Sequence, residues 1–291
     1  MTGRKALSSI SREAPILIAG PTGSGKSALA MELAARDGRI IVNADALQVY
    51  DCWRILTARP SVAAEAQIPH ALYGHVGREI SYSAGHWLRE IGEWLQQPVV
   101  IVGGTGLYFT ALTVGLSDIP PIPDEIRQQA NGLRHADFNA MVASLDPATA
   151  ARTDLRNPAR VQRGWEVLQA TGRGLVEWQR ESSRPMLPLS KTEALVVTME
   201  RAVLYQRINQ RFEAMMASGA MDEVRAELPF WRPDRPSSQA IGARQLIACL
   251  QGKITLQDAI ESARQESRRY AKRQCSWIRS RMKEWRVFPV T

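Results

Sequence analysis

Short, continuous apolar runs alternate along this chain with stretches whose apolar residues recur at helical spacing. Ile16-Leu17-Ile18-Ala19 reads as a strand, and residues 27–35 as a helix with Leu29, Ala30, Leu33 and Ala34 on one face. Residues 39–43 and 98–102 read as further strands. Between them residues 83–96 form a helix whose apolar face is Trp87, Ile91, Trp94 and Leu95. Uninterrupted β-branched runs separated by helices predict a parallel sheet covered on both faces.

A Pro-rich break at residues 119–124 opens a mostly helical stretch to about residue 179. Breakers stand at Asp146-Pro147 and Asn157-Pro158. Residues 194–198 return as a buried strand, followed by an amphipathic helix with Leu204, Ile208, Phe212 and Met215 on one side. Helices around residues 241–250 and 256–281 and a short strand at Val287-Phe288 complete the pattern. The expected architecture is α/β with a small helical insertion. Its divisions are a flexible N-terminus (1–14), a first core part (15–118), the insertion (119–180) and a second core part with basic C-terminal helices (181–291).

Composition changes this picture little. The 291 residues are 45% hydrophobic and 23% charged, as in an ordinary soluble globular protein. The 37 Lys+Arg against 29 Asp+Glu leave a net charge of +8, which suits an anionic partner without specifying one. Cys52, Cys249 and Cys275 are too widely spaced for a paired zinc-ligand pattern, so reduced thiols and a cytoplasmic setting are expected. The apolar run 15–19 is too short for a secretory or membrane segment, and no membrane partner is expected.

The strongest chemical signal is Gly20-Pro21-Thr22-Gly23-Ser24-Gly25-Lys26-Ser27, which fits G-x-x-x-x-G-K-[ST] between a predicted strand and a predicted helix. Glycines let backbone N–H groups converge on phosphate, and the helix N-terminus adds a positive dipole end. Lys26 reaches the terminal phosphates, and the Ser27 hydroxyl can hold Mg²⁺. The loop makes the sheet P-loop NTPase-like, and its ordinary ligand would be ATP or GTP. Against that default, the strand 98–102 runs into Gly103-Gly104-Thr105-Gly106 with no acid to hold the metal. The carboxylate instead follows the second strand, as Asp45.

From Asp45-Ala46-Leu47-Gln48-Val49-Tyr50 onward the chain resembles the tRNA dimethylallyltransferase (tRNA isopentenyltransferase) family, bacterial type. Matching segments run in the family's order. They are the phosphate loop, the Asp45 segment, Thr57-Ala58-Arg59-Pro60, Pro69-His70, Tyr82-Ser83-Ala84 and Val102-Gly103-Gly104-Thr105-Gly106-Leu107-Tyr108. Asp146-Pro147, Asn157-Pro158-Ala159-Arg160 to Arg163, Gln210-Arg211-Phe212, Ser218-Gly219, Ala240-Ile241-Gly242 and Arg268-Arg269-Tyr270-Ala271-Lys272-Arg273-Gln274 follow. The resemblance spans about residues 15–281. It implies transfer of a five-carbon allyl group from dimethylallyl diphosphate to the exocyclic amine of an adenosine in tRNA. That adenosine lies 3′ of the anticodon in tRNAs reading codons that begin with U; pyrophosphate leaves and no ATP is consumed.

The resemblance also implies roles. Asp45 is the general base, Thr105 contacts the reacting region, and Arg127 joins Lys26 and Mg²⁺ in stabilising the leaving pyrophosphate. Arg211 points at the diphosphate, although a solvated helix face is the plainer reading of Arg207 and Arg211. The partner is the tRNA anticodon stem-loop, contacted by Asp45, Ala46, Leu47, Gln48, Thr105 and Arg127. Ala159, Arg160, Val161, Gln162 and Arg163 join them, with Gln48 able to read an adenine edge. The basic run Arg264, Arg268, Arg269, Lys272, Arg273, Arg279, Arg281 would meet backbone phosphate. The chain is expected to act as a monomer.

Departures from the family pattern are Ala46 for a usual Ser, Leu56 and Arg59 where Gly and Lys are common, Ala243 for a frequent Tyr, and a short stretch between Asp124 and Asp146. A eukaryotic-type zinc-finger extension is not expected. Competing readings are a P-loop small-molecule kinase and a non-catalytic RNA-binding protein with a vestigial phosphate site.

Overall fold

The computed structural model describes residues 7, 9–181 and 183–289. Along the chain come β1 (Ile16–Ala19), α1 (Lys26–Asp37), β2 (Ile40–Asn43), α2 (Val62–Gln67), β3 (His70–Ala71), α3 (Ala84–Trp94), β4 (Val99–Gly103) and α4 (Gly106–Thr113). Five helices follow: α5 (Asp124–Ala136), α6 (Phe138–Ala143), α7 (Pro147–Arg152), α8 (Pro158–Thr171) and α9 (Leu175–Arg180). Then come β5 (Glu193–Thr198), α10 (Arg201–Ala217), α11 (Ala220–Glu227), α12 (Ala243–Leu250), α13 (Leu256–Arg281) and β6 (Arg286–Pro289). The chain divides into two compact units: a sheet unit, from the N-terminal side to Thr113 and again from Leu187, and a helical unit, Val114–Met186.

The six strands form one parallel sheet in the order β3-β2-β4-β1-β5-β6. Strand periodicity divides its side chains cleanly. Leu17, Val42, Val99, Ile101 and Val196 pack with Trp87 and Ile91 of α3 and Phe109 and Leu112 of α4. Ile16, Ile18, Ile41, Val100 and Val197 pack with Leu29, Ala30, Leu33 and Ala34 of α1 on the other face. Both faces are covered, which is why the central strands read as unbroken apolar runs rather than as an alternation. A third cluster joins Val49, Tyr50, Trp53 and Leu56 to Phe212, Met215, Val224 and Leu246.

The helical unit has its own small core of Ala130, Met141, Leu145, Val161 and Trp165. Asp137, Asp146 and Asn157 cap the helices that follow them, each side chain accepting a backbone N–H three residues on.

The pattern of the sequence misses α2, β3, α4 and α11. No residue of α2 is buried, so it has no apolar stripe to reveal it. Helix α4 is apolar on most sides, which removes the polar face that marks a surface helix. Within the stretch 1–14, residues 9–14 make contacts with the sheet unit. Ile10 is buried against the α1 face, and the guanidinium of Arg39 donates to the carbonyls of Ser11 and Ala14. Residues 1–6 and 8 of that stretch lie outside the described residues.

Candidate active site

Parallel register brings the ends of β1, β2 and β4 to one edge of the sheet. Ala19 pairs with Gly103, and Asn43 with Val102. The loops that follow these strands therefore meet where doubly wound sheets bind ligands. The phosphate loop leaves β1 at Gly20 and enters α1 at Lys26. Gly23 and Gly25 adopt φ of 83° and 86°, a left-handed conformation that side-chain-bearing residues rarely take. Gly20 lies against Ser24 and Val197, so a side chain there would crowd the turn. Ser24 is fully buried, and its hydroxyl has no partner among the described residues.

Charge collects above this loop. The Lys26 ammonium lies within reach of the Pro21 carbonyl at 3.4 Å. Desolvation lowers its pKa to about 8, Asp45 opposes that shift, and Arg211 adds to it. The Arg211 guanidinium donates to the Thr22 hydroxyl. Burial lowers its pKa, again opposed by Asp45. Arg211 thus belongs to the phosphate loop's surroundings, and the plainer reading of it as part of a solvated helix face is corrected. Lys26, Arg211 and Asp45 are therefore electrostatically coupled beside the phosphate loop.

Asp45 is held by its own loop. Its N–H donates to Asn43 Oδ1 at 2.8 Å, and its Oδ1 accepts from Leu47 N at 3.1 Å. Asn43 Nδ2 in turn donates to the carbonyls of Asp45 and Leu72. The β4 loop braces the same segment, because Ala46 N donates to Thr105 Oγ1 at 2.9 Å and Thr105 N donates to the Ala44 carbonyl at 3.2 Å. The phenol of Tyr270 of α13 is pushed up in pKa, chiefly by burial, with Thr105 acting in the opposite direction.

A cleft open to solvent brings Thr22, Asp45 and Arg211 together with Leu47, Leu56, Ile208, Phe212 and Met215. Its lining, part polar and part apolar, suits a ligand with a charged head and a short hydrocarbon tail. Gln48 is committed elsewhere: its Nε2 donates to the carbonyls of Thr57 and Ala58 at 2.8 and 3.0 Å. These bonds pin the loop that carries Leu56. Ser27 is exposed at the start of α1 and lines a separate opening with Gln48, Arg59 and Tyr73.

The remaining candidates lie in the helical unit. Arg127 of α5 donates through Nε to the Ile122 carbonyl. On α8, Ala159 and Arg160 are exposed. Gln162 donates to Asn131 Oδ1 and Glu166 Oε1. Burial lowers the pKa of Arg163, Glu166 opposes the shift, and Arg127 adds to it, so Arg127 and Arg163 share one electrostatic environment. Val161 is fully buried in the local core, which corrects the expectation of an RNA contact from its side chain. Two members of the basic C-terminal run are also internally paired, Arg264 with Glu213 and Arg268 with Glu261. Arg269, Lys272, Arg273, Arg279 and Arg281 lie along the same helix.

Sequence reasoning assigned no role to Gln274. It is buried, with Oε1 accepting from Thr22 N at 2.8 Å and Nε2 donating to the Gly104 carbonyl at 3.0 Å. A polar residue within the apolar stripe of α13 was the available signal.

Residues 48–281 match the model of the IPP transferase family. The chain belongs to this family. A tRNA dimethylallyltransferase of Cereibacter sphaeroides is 60% identical over 94% of this chain and 94% of its own. One of Dinoroseobacter shibae is 54% identical over 97% of each. These alignments extend over the phosphate loop and Asp45, which precede the family match. Among solved structures, the tRNA isopentenylpyrophosphate transferase of Bacillus halodurans superposes with a TM-score of 0.67 at 30% identity, covering 95% of this chain and 90% of the other. A eukaryotic dimethylallyltransferase caught acting on tRNA gives 0.79 at 25% identity, covering 94% and 73%. Among the described residues no helix is long and apolar enough to cross a membrane, and Cys52, Cys249 and Cys275 are free thiols.

Proposed function

We propose that this chain transfers a dimethylallyl group from dimethylallyl diphosphate to the exocyclic amine of the adenosine 3′-adjacent to the anticodon, in tRNAs reading codons that begin with U. The observation that carries the reading is the convergence of Asp45, Arg211 and Thr22 of the phosphate loop on one cleft that Leu47, Leu56, Ile208, Phe212 and Met215 also line. The names of the family and of its close relatives support the same reaction.

The chemistry follows from what each reactant lacks. An adenine amine is a weak nucleophile because its lone pair is delocalised into the ring, so a base must take its proton as bonding begins. Asp45 serves as that base. The new N–C bond forms at the allylic carbon as the C–O bond to the diphosphate breaks, and the bonding electrons leave with pyrophosphate. Lys26 and Arg211 hold the charge that develops there, with the backbone N–H groups of residues 23–27. The acceptor base must leave the anticodon-loop stack, and the exposed Arg160 together with Arg163 of the helical unit would hold the RNA backbone while it does so.

A Mg²⁺ ion fits this donor set only as a substrate-held ion. Among the described residues no cluster of three His, Cys, Asp or Glu side chains could hold a metal. The Ser27 hydroxyl would contribute one oxygen and the diphosphate others, in keeping with the preference of Mg²⁺ for phosphate and water. When bound, the ion would supply positive charge to the leaving group. The protein acts in this reading as a cytoplasmic monomer. A small-molecule kinase is not favoured, because β4 ends in Gly103 rather than in a metal-binding acid.

The test uses two unmodified tRNA transcripts that differ only at the base 3′ of the anticodon. With adenosine there, label from dimethylallyl diphosphate enters the RNA and appears as an N6-alkylated nucleoside on digestion. With guanosine there, none enters. Equal labelling of both transcripts overturns the assignment of the acceptor.

A further inference from the structure

The cradle and the base loop belong to different strands, and correct transfer needs the donor carbon and the acceptor amine in register to within a fraction of an ångström. The loops after β2 and β4 hold each other through Thr105. The phosphate loop after β1 is tied to them by a residue far along the chain. We infer that Gln274 is a positioning residue that locks the diphosphate cradle to the acceptor-side loop; this rests on the transfer reaction proposed above.

A primary carboxamide carries one acceptor and one donor end, and Gln274 uses both. Its oxygen takes the Thr22 N–H of the cradle, and its nitrogen gives to the Gly104 carbonyl beside Thr105. Gly104 admits this approach because it has no side chain; a Cβ there would collide with the carboxamide. Tyr270 lies one helical turn earlier on α13, on the same face, and Thr105 is among the groups that act on its phenol. Helix α13 therefore holds the β4 loop at Gly104 and the cradle at Thr22, both through Gln274. Thr22 is held at both ends, its side chain by Arg211 and its backbone by Gln274. With 5% of Gln274 exposed, water does not readily replace these bonds.

Gln274 contacts no reacting atom in this account, so its loss should spare binding and slow transfer. In Gln274→Met, which keeps the volume and removes both bonds, the single-turnover transfer rate is expected to fall about 30- to 100-fold. Affinities for inorganic pyrophosphate and for tRNA, each measured alone, should stay within about threefold of wild type. Gln274→Glu adds a control with its own signature. As a carboxylate it opposes the Gly104 carbonyl, but as a buried, protonated carboxyl it regains one donor and one acceptor. Its rate relative to wild type should therefore recover as pH is lowered.

A wild-type-like rate in Gln274→Met overturns the inference. So does a loss of both affinities with the rate of the bound complex unchanged, or a Glu variant whose relative rate is flat with pH. If wild-type enzyme itself moves no label to tRNA, it is the transfer reaction that fails, and this inference falls with it.

Discussion

In the sheet unit, the backbone of Thr22 is fixed by Gln274, 252 positions further along the chain. In the helical unit, Gln162 is fixed by Asn131 and Glu166, 31 and 4 positions away. The first region assembles its groups through strand register and long-range hydrogen bonds. The second displays side chains on helices that pack locally. Chemistry that depends on fractions of an ångström belongs on the first kind of scaffold. Attraction of a polyanion, which tolerates a looser surface, can be left to the second.

If that division is correct, substitutions in the sheet unit lower the rate of the bound complex, and substitutions on the helical unit weaken RNA binding. The largest effect is expected for Asp45→Asn, which keeps the size of the side chain and removes the proton acceptor. Single-turnover transfer should fall about 10²- to 10⁴-fold while pyrophosphate affinity, followed by calorimetry, changes little. Next comes Arg211→Met, for which transfer should drop about 100-fold and pyrophosphate binding should weaken with it. A pyrophosphate affinity unchanged in that variant would separate Arg211 from the cradle.

A smaller and graded effect concerns Lys26. Its pKa of about 8 means that the ammonium is present below that pH and lost above it. Binding of a diphosphate favours the charged form, so the advantage of wild type over Lys26→Met in metal-free pyrophosphate affinity should be full at pH 7. It should decline by up to about tenfold per pH unit above 8. A constant ratio between pH 7 and 9.5 would contradict the burial argument. The smallest effect is expected for the exposed Arg160. Arg160→Ala should raise the KM for tRNA several-fold, lower the salt dependence of binding by about one phosphate contact, and leave kcat intact. A kcat loss like that of Asp45→Asn would erase the difference between the two regions.

The same difference governs how much could be read from residue types alone. The strands β1, β2, β4 and β5 were legible because burial on both faces demands unbroken runs of Ile, Leu and Val. The phosphate loop was legible because its glycines and Lys26 have few other uses in that order. Arg211 was readable only by resemblance, since nothing in local spacing distinguishes an arginine beside Thr22 from one in water. Gln48 and Val161 show the opposite limit. Both stand in segments whose neighbours suit RNA contact, yet one pins a loop and the other fills a core, and only tertiary packing decides that. Gln274 went unassigned because its partners, Thr22 and Gly104, lie 252 and 170 positions away.

The central claim is that a phosphate loop built like that of an NTPase serves here as a cradle for a departing pyrophosphate. The most direct measurement supplies wild-type protein with Mg²⁺, unmodified tRNA, labelled dimethylallyl diphosphate and ATP together, and follows RNA label, pyrophosphate and ADP in one time course. The account predicts one pyrophosphate released for each allyl group entering RNA, with ATP untouched. ATP turnover with no label in RNA would contradict it and would restore the kinase reading.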